Sequence, residues 1–594
     1  MKREALAGGG LTVVWGEQSG QLEIATTWKE TLVLSPALGW LRPVLNGQAV
    51  AWDCRGITRR GAVARAAFDA AGVTDARLYL RARPDYLELQ SEFTVVGPCE
   101  LNRLEVAPPD TGLNLYDVVN FRNRHFTPRT WPELNLGGDA CTTDTYSGDW
   151  QFAPHPTLFV FRKDDLHLFL GALDLPRAFG MYLDVRQYRV RHWYLDYGPA
   201  GYGQSLRAGE RVQSPRFGLF PDRARTVYET LGRYTRLLAR AGLVPAPRRK
   251  RRHAWHTQPL YCTWIDQTYA AKAAVPAELN LQEPAVQTAT ATLTEAFVRA
   301  ALAVIEREKL PFRTILLDEG WEVARGQWEP HPQRFPNFRG LVDEIHARGM
   351  KVIVWWNWAE LADDVPVAAD HLIARGKRNR HGRRMRDYSH PRTQQEYLAP
   401  LFRTLFSSAP GCYDLDGVKT DFQADKVHAD MPVHDPRWRG EENYMYHLYK
   451  LFYRLMRRFK PDACHLGCAG HPWLAQFIDV NRTYDVASSD VREHAERARM
   501  LAATAPLCPV AFDFHGFEEN SARYFQVARR LGAAVEIGNL RWVRRNMFAS
   551  PRPAGPTYYR LLRRELNPNP PGPEPRTKRS TPTLLKGPPH RHEP

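Results

Sequence analysis

Lys419 and Asp421 stand two positions apart in the short stretch Leu415–Phe422, which reads as a buried strand. Residues two apart on a strand point to the same side. An ammonium and a carboxylate would then face one cavity at the strand's C-terminal end. The pair can floor an active site with Asp421 as a catalytic carboxylate, or it can be an ion pair that closes a core strand. A second carboxylate, Asp490, follows Ser488 and Ser489. Two carboxylates on one face are what glycosidic cleavage requires: one attacks the anomeric carbon or guides water to it, and the other protonates the leaving oxygen. A retaining enzyme holds them roughly 5–5.5 Å apart. Lys419 would keep Asp421 ionised, and Asp490 would need a drier setting to stay protonated.

The elements around these residues predict how they are positioned. From residue 254 onward, apolar strand-like runs alternate with amphipathic helices. The strand candidates are Leu260–Ile265, Arg313–Leu317, Lys351–Trp356, Gly417–Asp421, Ala463–Cys468, Asp485–Ser489, Cys508–Phe514 and Ala533–Asn539. Helical periodicity marks Thr294–Lys309, Leu341–Arg348, Tyr444–Phe459, Glu493–Ala505 and Ser521–Leu531. Eight strands with helical crossovers predict a (β/α)8 TIM barrel over 254–548, with functional residues at the strand C-termini. Those ends carry Trp264 and Asp266, Asp318 to Trp321, Trp355 and Trp356, Lys419 and Asp421, Cys468, Asp490, and Asp513 with His515. Tryptophans at successive mouths would offer platforms for sugar rings, with carboxylates on the hydroxyls.

Residues 1–243 alternate apolar and polar at period two between turn residues, as in Leu11–Trp15, Tyr86–Gln90 and Leu166–Leu170. That pattern predicts an N-terminal antiparallel β-sandwich, ending in a connecting helix from Val227 to Leu243. A basic linker follows at 244–253. Residues 549–594 hold 12 of the 45 prolines and no sustained periodicity, and are expected to form a structureless Pro/Arg-rich tail.

Bulk properties exclude several classes. The 594 residues carry a net charge of +16, but much of it sits in the run Arg248–Arg252 and in the tail, and no nucleic-acid-binding motif accompanies it. The N-terminus reads as no signal peptide, and no apolar run is long enough to span a membrane. Eight scattered cysteines argue against a disulfide framework, and Cys464, His465, Cys468 and His471 match no common zinc module. The cytoplasm is the default compartment. No nucleic-acid or membrane partner is expected, and a homo-oligomer is compatible with the sequence.

The ordered motifs carry a family resemblance. Ile315-Leu316-Leu317-Asp318-Glu319-Gly320-Trp321 resembles the "DDGW" motif of glycoside hydrolase family 36, the α-galactosidases of clan D. Trp328, Arg334–Phe338 and Leu341–Lys351 fit the segment after it, and Val354-Trp355 resembles the "GLW" strand. Asp387–Pro391 resembles "LDLSxP", and Val418–Asp421 resembles "KWD". Cys468-Ala469-Gly470 resembles "CxxG", and Ser488-Ser489-Asp490 with Arg497 resembles "SDxxDxxxR". The resemblance covers roughly 255–540, and the family also places a β-sandwich before its barrel.

The resemblance implies Asp421 as nucleophile and Asp490 as acid/base, in a two-step retaining hydrolysis of an α-glycoside or oligosaccharide without cofactor or metal. It implies Asp318, Glu319, Trp355, Lys419, Cys468 and Arg497 as substrate-binding residues. Four motifs depart from the pattern. Glu319 replaces the second Asp of "DDGW", Thr420 replaces the "KWD" tryptophan, Asn357-Trp358-Ala359 replaces "EPE", and Glu493 stands where an Asp is expected. The family's further C-terminal β-domain has no counterpart before the tail. The alternatives are an α-glucosidase of the family 31 type and a carbohydrate-binding protein without catalysis.

Overall fold

The computed structural model describes residues 3–16, 22–26, 31–32, 41–107, 117–119, 141–142, 158–163, 166–175, 180–186, 189–198, 203–224, 226–246, 253–274, 286–373, 383–421, 431–467, 472–483, 491–513, 517–546 and 549–567. The basic run, Cys468, Asp485–Asp490, His515 and residues 568–594 lie outside them.

Alternation at period two does produce antiparallel sheets. Among the described residues, a four-stranded sheet begins the chain, and nine-stranded and seven-stranded sheets follow. Their inward positions share one apolar core. Leu11, Val13 and Trp15 come from the first sheet, Leu78, Leu80 and Leu89 from the second, and Leu101, Leu104 and Leu195 from the third. Helix α1 (Val227–Arg240) then joins the sheets to the barrel. Its Leu231, Tyr234 and Leu238 pack with Leu173 and Phe220 of the sheet region and with Trp473 and Met500 of the barrel.

The barrel closes with eight parallel strands: β1 (Leu260–Cys262), β2 (Thr314–Leu317), β3 (Lys351–Asn357), β4 (Gly417–Asp421), β5 (Cys464–Gly467), β6 (Val480–Arg482), β7 (Val510–Phe512) and β8 (Ala534–Ile537). Helices α2 (Trp264–Ala273), α3 (Val286–Ala291), α4 (Glu295–Arg307), α5 (Phe338–Ala347), α6 (Ala399–Phe406), α7 (Glu441–Phe459), α8 (Val491–Thr504) and α9 (Ser521–Leu531) accompany them. Thr294 and Asn337 start α4 and α5 by accepting hydrogen bonds from the N–H groups of Phe297 and Gly340, which would otherwise lack partners.

Three expectations change. The first strand stops at Cys262, and the chain enters α2 at Trp264, so Trp264 and Asp266 do not end a strand. Asp266 is fully buried, and its carboxylate accepts from Tyr261 Oη and from the N–H groups of Leu540, Arg541 and Trp542. Asp266 therefore fastens β1 to the segment after β8 and does not face a substrate. Second, the sixth strand is Val480–Arg482, ahead of the expected Asp485–Ser489. Third, the expected tail is ordered at its start: α10 (Pro556–Leu566) buries Tyr558, Tyr559, Leu562 and Leu566 in the barrel's outer core.

At the opposite end of β4 from Asp421, Asp416 is buried and accepts from His346, Lys351 and the Val352 N–H, with Lys460 2.9 Å away. Burial alone would raise its pKa, but His346, Lys460 and the Val352 N–H outweigh it and hold the carboxyl well below its ordinary value. Asp416→Asn leaves the half-buried cations Lys351 and Lys460 short of a buried partner and is expected to cost about 3 kcal/mol at neutral pH. A depressed pKa contributes stability that is present above the ordinary value of 3.8 and lost as pH falls. The melting-temperature gap to wild type should therefore be full at pH 7 and shrink progressively as pH falls below about 4. An equal gap at both pH values would refute this account.

Candidate active site

The barrel interior is built in layers. Leu260, Leu316, Ile353, Cys464, Leu466, Val480, Ala511 and Ala534 form an apolar floor. Two residues further along most of these strands, the same inward face carries Cys262, Asp318, Trp355, Arg482, Asp513 and Glu536. On β4 the inward series is Gly417, Lys419 and Asp421, with Lys419 paired in register to Trp355 and Asp421 to Asn357. A charged layer thus lies directly above an apolar one, at the C-terminal end of the barrel.

Hydrogen bonds fix this layer. Trp355 Nε1 donates to Asp421 Oδ2 at 3.1 Å, and Arg482 donates to Asp421 Oδ1 at 3.1 Å. Arg482 also donates twice to Asp513 Oδ2, at 3.0 and 2.7 Å. Lys419 Nζ donates to Asp318 Oδ2 at 2.7 Å, and the Cys262 thiol donates to the same oxygen at 3.2 Å. Lys419 and Asp421 lie on the same side of β4, as the spacing predicts. The guanidinium bonded to Asp421, however, belongs to Arg482, and the ammonium of Lys419 is committed to Asp318.

Local sequence explains Asp318. After β2 the chain turns through Gly320 at φ +112°, where a Cβ would sit 2.6 Å from the Thr290 carbonyl oxygen. Only glycine suits that turn. Asp318 Oδ1 accepts from the Glu319 N–H, and its own N–H donates to Thr263 Oγ1. Glu319 itself bonds Arg325, whose other partner is Glu360. Burial pushes Glu319 up to about 7, although Arg325 opposes the shift. Arg325 also lies over the Trp355 ring, 5.9 Å from its centroid.

Arg497 is buried and donates to the carbonyl of Thr483, the residue after β6. Thr483 Oγ1 in turn accepts from the Asp513 N–H. Arg497 thereby braces the ends of β6 and β7. Cys468 and Asp490 lie outside the described residues, and so does the separation of the two carboxylates.

The tryptophans divide. Trp355 belongs to the site. Trp356 stacks on Phe452 at 4.4 Å, Trp358 on Tyr444 at 5.7 Å and Trp321 on Phe338 at 5.9 Å. Those three are core between barrel and helices and offer no open platform at the strand ends.

Arg482 and Glu536 of this charged layer do not stand out in the sequence as Lys419 and Asp421 do, and Asp513 is legible only as a strand end. A lone glutamate inside the apolar run Ala533–Asn539 was a usable signal, because charged residues are rarely fully buried without a partner. Arg482 carried none, since its strand has a single strongly apolar residue.

With this geometry in place, likeness to known proteins can be read. Residues 285–463 match the model of the glycosyl hydrolases family 31 TIM-barrel domain. A 48-residue stretch is 40% identical to the A type blood alpha-D-galactosamine galactosaminidase of Flavonifractor plautii, covering 7% of this chain and 4% of that protein's length. The fold is similar to that of the GH36 alpha-galactosidase AgaB from Geobacillus stearothermophilus, with TM-score 0.55 and 13% identity over 95% of this chain and 86% of that one. It is also similar to the alpha-galactosidase from Lactobacillus brevis, with TM-score 0.54 and 13% identity over 95% and 82% of the two chains. The family match supports a glycoside hydrolase, and the structural likenesses show the fold. They divide between families, since the sequence model is of family 31 and the similar structures include family 36 enzymes. No helix among the described residues is long and apolar enough to cross a membrane.

Proposed function

We propose that the protein is a retaining α-glycosidase with α-galactosidase-like specificity, in which Asp421 is the nucleophile and Asp490 the acid/base. The observation that carries this reading is the Asp421 carboxylate at the C-terminal end of β4, held at one oxygen by Trp355 and at the other by Arg482. Both donors fix the rotamer, so the carboxylate is pre-organised for attack. Asp421 attacks the anomeric carbon as Asp490 protonates the leaving oxygen, giving a glycosyl ester. Water, deprotonated by Asp490, then cleaves the ester with net retention.

Arg482 suits both steps. As the ester forms, Asp421 loses its charge, and Arg482 keeps Asp513 as a partner. As the ester breaks, the guanidinium receives the returning carboxylate without rearrangement. Asp318 and Lys419 would bind sugar hydroxyls at the closed end of the cavity, with Glu319, Cys468 and Arg497 as further members of that subsite. No step needs a metal or cofactor in this scheme.

A second reading, an α-glucosidase of the family 31 type, is favoured by the match over 285–463. Hydrolysis of nitrophenyl α-galactoside and α-glucoside, with the product anomer followed by NMR, separates the two. Preferential release of α-galactose supports the proposal. A β-configured first product would overturn retention, and sugar binding without turnover of any α-glycoside would leave only a binding protein.

A further inference from the structure

Glu536 lies in the middle of β8 and is fully buried, yet neither of its carboxyl oxygens receives a hydrogen bond from any described residue. Its nearest cation is Lys419, with Nζ 4.0 Å from Oε1, while the same Nζ sits 2.7 Å from Asp318. Asp513, bonded twice to Arg482, is the other close carboxylate. Among the described residues, the interior layer therefore holds two cations, Lys419 and Arg482, and four carboxyl groups. Three of those are hydrogen-bonded to a cation, and Glu536 is the fourth.

We infer that Glu536 is a positioning residue: lodged beside Lys419 and Asp513, it leaves Lys419 on Asp318 and Arg482 on Asp421 as long as its side chain is uncharged. The physical reason is competition. Were Glu536 charged, Lys419 would be drawn from Asp318, and Arg482 would feel a further carboxylate beside Asp513. Burial and the neighbouring Asp513 push Glu536 up to about 8, whereas Arg482 holds Asp513 below its ordinary value. Of that pair, Asp513 is the ionised member and Glu536 the neutral one at pH 7. The groups facing Glu536 come from five strands and a helix. They are Cys262 on β1, Asp318 after β2, Lys419 on β4, Arg482 on β6, Asp513 after β7 and Tyr524 of α9, whose hydroxyl lies 3.3 Å from the Glu536 carbonyl oxygen.

This inference rests on the glycosidase reading, and its test separates the two. Glu536→Gln keeps the shape and cannot ionise. Its kcat/KM on the nitrophenyl α-glycoside that wild type hydrolyses is compared with wild type from pH 6 to pH 9.5. The expected result is near-equal activity at pH 6, and a variant-to-wild-type ratio that rises about tenfold per pH unit above about 8, as Glu536 ionises only in wild type. The change should reside in KM if Lys419 and Asp318 bind the sugar. A second expected result needs no substrate. The folded pKa lies above the ordinary value of 4.5, so wild type loses stability as pH rises from 4.5 through 8 and the variant does not. The variant's melting temperature should therefore gain on wild type between pH 5 and pH 8. If the glutamine variant fails to fold, Glu536→Met serves in both measurements, since an apolar group of similar length leaves no orphaned carboxyl. A ratio constant with pH in an active enzyme overturns the role given to Glu536 and leaves the glycosidase reading standing. Absence of α-glycoside turnover in wild type overturns that reading, and the inference with it.

Discussion

Asp421→Ala is expected to lower kcat on any α-glycoside substrate by at least about 10³-fold. The carboxylate that would form the glycosyl ester is gone, and no other described carboxylate shares its place between Trp355 and Arg482. Azide should restore part of the turnover. Alanine leaves a space beside the Arg482 guanidinium that a small anion can fill, and azide there attacks the anomeric carbon from the nucleophile's side. The product is then a glycosyl azide of inverted, β configuration, which NMR identifies. Asp421→Asn is the control, because it keeps the size of the side chain and occupies the space azide would need. Wild-type activity in the alanine variant would remove Asp421 from the mechanism. Loss of activity without azide rescue, together with a normal melt, would point to a general base in place of a nucleophile.

The second large effect is at Arg482. Its side chain is 1% exposed and bridges Asp421 and Asp513. Arg482→Met leaves two buried carboxylates facing each other, with Glu536 nearby. Breaking a buried pair by removing one partner costs about 3–5 kcal/mol, most of it the penalty on the charge left behind. A fall in melting temperature and near-complete loss of activity are expected together. Two further variants separate charge from shape. Arg482→Lys keeps the charge but loses the planar fork that reaches both carboxylates, so it should recover part of the stability and little of the activity. The double variant Arg482→Met/Asp513→Asn removes the charge left without a partner and should be more stable than Arg482→Met alone, a coupling that additive effects cannot give. Calorimetric melts measure this. A single variant as stable as wild type would mean that the bridge seen at Arg482 contributes nothing.

Much of the barrel was legible in the sequence. Buried parallel strands appear as apolar runs, which is why β2 and β3 fall on the expected stretches to within a residue. Helices α4, α5, α7, α8 and α9 likewise follow the 3.6-residue period, because each buries one face on the barrel. The failures have local causes. The apolar run at β1 continues through Trp264 and Ile265, but helix α2 wins there because Asp266 captures three N–H groups from the far end of the barrel. β6 was drawn too late because Val480-Asn481-Arg482 lacks an apolar run. Its arginine is tolerated inside the barrel because Asp421 and Asp513 await it there. Residues at 549 onward looked structureless by proline content, yet α10 forms between prolines, with Pro556 at its first turn, where proline is tolerated.

The sequence by itself determined that β and α elements alternate, that Lys419 and Asp421 share one side of β4, and that this strand ends where a barrel places its chemistry. Those are consequences of local period and short spacing. Only the tertiary structure decided the pairing of charges. Lys419 serves Asp318, 101 residues away, and Arg482 serves Asp421, 61 residues away. An ion pair depends on distance in space and on burial, and neither is encoded in the spacing of two residues along one strand.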